Sequence, residues 1–115
     1  MIRKNILDAA KEPVVAHHGE GRIQFVRPFS DEDFQTALSF VDYVEIPPNA
    51  SIGVHTHGDN EEMYFIVEGH GRMTTNDQVY PVKTGDLILN RPGWSHGLLN
   101  DSQATLRVLV WEVAK

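Results

Sequence analysis

The chain reads as an all-β domain, a sandwich or barrel, on three observations. Nine or ten short runs rich in Val, Ile, Phe, Tyr and Thr recur along it. Gly, Pro, Asn and Asp punctuate the gaps between them, and almost no stretch carries apolar residues at the helical period. A length of 115 residues with 41% apolar content suits one hydrophobic core and is short for two.

Taken in order, residues 1–22 read as an N-terminal arm and 23–115 as the single β domain. The arm offers a short helical turn around Ile6–Lys11, ended by Pro13. Within HHGEG, 17–21, His17 and His18 are adjacent and would face opposite ways if extended, so they suit a surface or supporting role better than a joint ligand pair. IQFVR, 23–27, is a strand that Pro28 should end, and Ser30 followed by Asp31, Glu32 and Asp33 reads as the start of a helical turn. LSFVDYVEI, 38–46, is a strong strand stopped by Pro47 and Pro48. Its alternation sets Phe40, Asp42, Val44 and Ile46 against Val41, Tyr43 and Glu45, without saying which face looks inward. HGRMTTN and QVYPVK form a hairpin about Asn76 and Asp77, with Pro81 confining the second strand to an edge or bulge. TLRVLVWEV, 105–113, is apolar on both faces except for Arg107 and Glu112, and reads as a strand covered on two sides.

Chemistry concentrates in GVHTHGDNEEMYFIVEG, 53–69. His55 and His57 are two residues apart in a β-rich run, so their imidazoles share a face and make a pair of metal ligands. Gly58, Asp59 and Asn60 turn the chain, and the returning run begins with Glu61 and Glu62, so one carboxylate can come back beside the histidines. In GDLILNRPGWSHGLLN, 85–100, His96 follows a Pro-Gly turn at the start of another strand and can be a fourth ligand.

At this point the residues resemble the cupins, whose first motif is G-x5-H-x-H-x3,4-E-x6-G and whose second is G-x5-P-x-G-x2-H-x3-N. His55, His57, Glu62 and Gly69 fit the first; Gly85, Gly93, His96 and Asn100 fit the second. Asn49 stands where the first motif has Gly, a mild change because Asn enters the left-handed region readily. Arg91 stands where the second has Pro, with Pro92 next to it. The motif's spacing to Gly69 selects Glu62 over Glu61. The resemblance implies a jelly-roll barrel and one divalent transition metal ion held by His55, His57, Glu62 and His96.

Three imidazoles and a carboxylate suit Fe, Mn, Ni, Co, Cu or Zn, and composition does not choose among them. Cysteine is absent, so thiolate ligation and disulfides are excluded. A net charge of −6 with no Lys/Arg cluster argues against nucleic acid as a partner. The first 15 residues lack the apolar core of a secretory signal and no run approaches membrane-spanning length, so the expected setting is the cytoplasm, with no membrane partner. Met63, Phe65 and Val67 face away from the ligands. With the final strand they leave more apolar surface than one small core covers, which predicts a homodimer.

The expected activity is that of a metalloenzyme on a small oxygen-bearing metabolite. Tyr64, two residues beyond Glu62, is the one acid/base candidate that period two places on the ligand face, and Arg91 could meet an anionic substrate. A phenol is a weak base at neutral pH, which tilts the expectation to dioxygenase-like, oxygen-dependent chemistry. A Lewis-acid isomerase, epimerase, cyclase or decarboxylase is the alternative. The alternative of another class is a non-catalytic module that binds or senses a small ligand or sugar.

Overall fold

The computed structural model describes residues 1–114, and its ten strands form two antiparallel sheets. The strands are β1 (Glu12–Val14), β2 (Ile23–Ser30), β3 (Leu38–Ile46), β4 (Ser51–Thr56), β5 (Asn60–Glu68), β6 (His70–Thr75), β7 (Gln78–Lys83), β8 (Leu87–Asn90), β9 (Ser95–Leu99) and β10 (Leu106–Ala114). The larger sheet runs β1-β2-β3-β10-β5-β8 and the smaller β4-β9-β6-β7. The chain changes sheet repeatedly as it winds, giving the double-sheet jelly roll. The helical element among the described residues is a 3-10 turn, Asp31–Asp33, where the Asp33 carboxylate accepts the Ser30 N–H at 3.0 Å. No helix there is long and apolar enough to cross a membrane.

The core lies between the sheets, where Ile46, Ile66, Met73, Leu98, Leu106 and Val108 are at most 1% exposed. The inward face of β3 is the one carrying Val44 and Ile46, with Asp42 buried beside them. β10 sits mid-sheet between β3 and β5 and is not covered on two sides as expected: Leu106, Val108, Val110 and Glu112 are buried on its inner face, while Arg107, Leu109 and Trp111 on the outer face are half-buried.

Prolines mark where the local reading and the fold diverge. β2 continues through Pro28, because Pro28 falls in the irregularity between Val26 and Phe29, where the ladder asks for no N–H. Pro13 likewise lies inside β1, an edge strand paired with β2, so the stretch expected to be an arm adds a strand to the larger sheet. Ahead of β1 the chain forms only a turn, in which the Ala9 N–H reaches Asn5 O at 3.1 Å. Pro81 behaves as expected on β7, the edge of the smaller sheet.

Two turns pin the register. Asn76 and Asp77 both have positive φ, 47° and 70°, as a two-residue hairpin of the primed type requires. Asn49 has φ 69°, the left-handed conformation its place in the motif demands, and its N–H is taken by Asn100 O at 2.8 Å. Asn100 is fully buried and works as a hub. Its Nδ2 donates to Ile46 O and Ala104 O, both at 2.7 Å, while its Oδ1 accepts the Ser102 N–H at 2.9 Å and the Ser102 hydroxyl at 2.7 Å. Asn100→Ala would strand these buried groups, and we expect a loss of about 2–4 kcal/mol in urea unfolding. A midpoint unchanged from that of the parent would contradict the hub.

Candidate metal centre

The four expected ligands converge from both sheets. β4 carries His55, the turn after β4 carries His57, β9 carries His96 opposite His55 in register, and β5 brings Glu62 from the larger sheet. One ligand atom from each lies within 4.8 Å of all the others. His55 Nε2 is 3.1 Å from His57 Nε2, and Glu62 Oε1 is 3.0 Å from both His57 Nε2 and His96 Nε2. These donor–donor spacings are short enough for His55, His57, Glu62 and His96 to hold a single ion, were one bound.

The tautomers also suit an ion. His55 Nδ1–H donates to Gly53 O at 2.8 Å and His57 Nδ1–H to Asn60 Oδ1 at 2.7 Å, which leaves both Nε2 lone pairs turned to the cluster. Burial holds the His55 imidazole down to about 4 and that of His96 to about 3, so both are neutral at pH 7 and available as ligands. Burial pushes the Glu62 carboxyl up, and the surrounding imidazoles pull it back. A buried carboxyl among three imidazoles is a donor set that a divalent cation would complete.

Several residues beside the ligands escape sequence reasoning. His17 stacks on His55 with ring centroids 3.5 Å apart and planes 9° from parallel. It gets there because His17 and His18 both take left-handed backbone, φ 51° and 58°. The loop carrying them is tied to β4 through Gly53 N–H to Ala16 O and Ser51 N–H to Glu20 O, and a Cβ on Gly53 would collide with His17 O. Period-two logic, which assumes extended backbone, has no means of seeing this. Glu112 pairs with Glu62 across β10 and β5, and Glu112 Oε1 is 3.5 Å from His57 Nδ1. Burial and the Glu62 charge both push the Glu112 carboxyl up. Asn90 pairs with Glu62 from β8 and is 1% exposed, with neither amide atom partnered in the protein.

A cavity of about 410 Å³ opens from the cluster toward the larger sheet. Its polar wall includes His17, His55, His57, Glu62 and Glu112, with Arg27 and Asp42 further along; Ile23, Phe25, Val44, Ile52 and Val110 make it largely apolar elsewhere. Tyr64 lines it too, buried and edge-on to His96 at 5.3 Å between ring centroids. Burial and the Glu62 charge hold its phenol well above the usual range. Arg91 and Trp94 are not on the cavity wall; Arg91 is exposed, its guanidinium 5.9 Å from the Trp94 ring.

The depressed histidines set an acid limit. Unfolding returns His55 and His96 to near 6.5, so the unfolded chain binds more protons, and their contribution is lost as pH falls from about 6.5 toward 4. The raised carboxyls of Glu62, Asp42 and Glu112 act in the opposite sense over the lower part of that window. We expect metal-free protein to lose stability in denaturant titrations between pH 6.5 and 4. A His55→Gln/His96→Gln variant, lacking both groups, should show a flatter slope; identical slopes would contradict the assignment.

Comparison with known proteins agrees with this architecture. A family model described as "Cupin domain" matches residues 42–112. An "Oxalate-binding protein" of Thermotoga maritima is 29% identical over 91 residues, 79% of this chain and 75% of that one. A crystal structure from the same organism, of "a predicted oxalate decarboxylase", superposes with a TM-score of 0.93 at 24% identity, covering 100% of this chain and 99% of the other. The polyketide cyclase RemF of Streptomyces resistomycificus gives a TM-score of 0.83 at 22% identity, over 100% and 80% of the two chains. At those identities the solved structures establish the fold alone. With the matched model spanning both ligand segments, the chain belongs to the cupin family.

Proposed function

We propose that this chain is a mononuclear metalloenzyme that binds a small oxygen-bearing acid at His55, His57, Glu62 and His96 and turns it over within the cavity. The observation that carries this reading is the convergence of three imidazoles and one carboxylate on the wall of a chamber large enough for a small metabolite. A divalent ion there would supply Lewis-acid polarisation or, if redox-active, oxygen chemistry. Fe, Mn, Ni, Co, Cu and Zn all suit the donor set.

The protein's own groups bear on which chemistry follows. Tyr64 stays protonated at neutral pH, so its proposed part is to donate a hydrogen bond or a proton, never to act as base. Glu112 is a second acid/base group, beside Glu62 and on the cavity wall. The sequence favours oxygen-dependent chemistry for want of such a group, and Glu112 gives Lewis-acid isomerisation, epimerisation, cyclisation or decarboxylation equal support. Binding without turnover is the second reading, favoured by the relative whose name is an oxalate-binding protein.

Iron-, manganese- and zinc-loaded protein, each offered a panel of small hydroxy and oxo acids with and without air, separates these. Oxygen uptake confined to the iron form supports dioxygenase-like chemistry, turnover without oxygen in the zinc form supports Lewis-acid chemistry, and binding alone in every form supports a carrier or sensor. For Lewis-acid turnover, Glu112→Gln should lower kcat by about 100-fold or more while the acid still binds; an unchanged kcat would remove Glu112 from the reaction.

We further propose a homodimer in a cytoplasmic setting. On the outer face of the larger sheet Val67, Leu87 and Leu89 are 37–61% exposed, with Met63 and Phe65 half-buried alongside. Such a face on neighbouring strands is an apolar patch of the kind that pairs. Light scattering at micromolar concentration should give twice 13.0 kDa; a monomer mass would contradict it.

A further inference from the structure

The cavity wall beyond the ligands contains an arginine that the proposed chemistry leaves without a task. Arg27 lies on β2 at the irregularity after Val26. Its Nε and Nη2 donate to the two carboxylate oxygens of Asp42 at 2.7 and 3.0 Å. Its guanidinium lies 4.2 Å from the Phe40 ring centre and 5.6 Å from that of Phe25. Fork and rings together fix the plane of the group. Among the described residues Nη1 has no protein partner, and the side chain, on the cavity wall, is 43% exposed. Asp42 is 7% exposed, so the pair carries a desolvation penalty that apolar residues at the same sites would avoid. Stability is therefore a poor reason for the pair. Arg27 lines the same cavity as His55, His57, Glu62 and Glu112.

We propose that Arg27 is a specificity residue, held by Asp42 to receive a second anionic group on the substrate, so that the favoured ligand is a small acid with a metal-chelating end, a short apolar middle and a distal carboxylate. This rests on the proposed metal centre. Two donors already engaged on Asp42 leave Nη1 for a charge-assisted hydrogen bond to the ligand, a contact that changes affinity by about tenfold or more.

The test uses titration calorimetry on manganese-loaded protein with two matched pairs of probes. Malate is compared with 2-hydroxybutyrate and 2-hydroxyglutarate with 2-hydroxypentanoate, each pair differing in the distal carboxylate. The expected result is a preference of about tenfold or more for the diacid in at least one pair. It should fall to within about twofold in Arg27→Gln, with monoacid affinity unchanged. Because Arg27→Gln leaves Asp42 buried without its cation, Arg27→Gln/Asp42→Asn is measured beside it, and manganese content checks that the site survives in each. Equal binding of both members of both pairs by the parent protein, or a diacid preference retained in either variant, would overturn the role of Arg27. Acids that bind metal-stripped and manganese-loaded protein equally would overturn the metal reading itself, and a preference by Arg27 for chelated acids with it.

Discussion

The burial of Glu62 governs the arrangement of everything near it. A carboxylate this far from water must be matched by a cation or by hydrogen-bond donors, or be neutralised. The fold surrounds it with two imidazole nitrogens at 3.0 Å, the Glu112 carboxyl, and Asn90 in register on the neighbouring strand. His96 brings no charge at neutral pH, because burial depresses its imidazole. The unmet demand for positive charge in the barrel interior is the physical reason to place an ion there, and it arises from packing as much as from ligand identity.

That demand organises the two sheets. Glu62 and Glu112 lie on neighbouring strands of the larger sheet, whereas His55 and His96 face each other across the smaller one. The cluster therefore sits at one end of the sandwich, beyond the apolar layer of Val44, Ile66 and Val108, and the cavity occupies the space that layer leaves unfilled. Polar end and apolar floor together make a chamber suited to a small ligand with both kinds of surface.

Legibility in the sequence follows from how local each signal is. Ligand spacing, the hairpin at Asn76 and Asp77, and the edge position of β7 depend on a few consecutive residues, and each appears in the structure where its pattern implies. The inward face of β3 depends on its neighbours β2 and β10, so alternation alone could not choose it. Glu112 is 50 residues from Glu62 in sequence and adjacent only through strand pairing. Arg27 reaches Asp42 by way of an irregularity in β2, and Arg91, the arginine nearer the ligands in sequence, lies off the cavity. His17 reaches His55 through two left-handed residues in succession, a conformation for which its sequence carries no turn signature beyond the following glycine.

Because the donors come from both sheets, an ion seated among them would act as a removable staple between residues far apart in the chain, in a protein with no cysteine to form a permanent one. Its strength would be set by the surroundings, since free ion at about a hundred times its dissociation constant adds about 2.7 kcal/mol to the folded state and scarcity withdraws it. Persistence of the folded chain would then report on how much free metal its compartment holds, with no change in the protein itself.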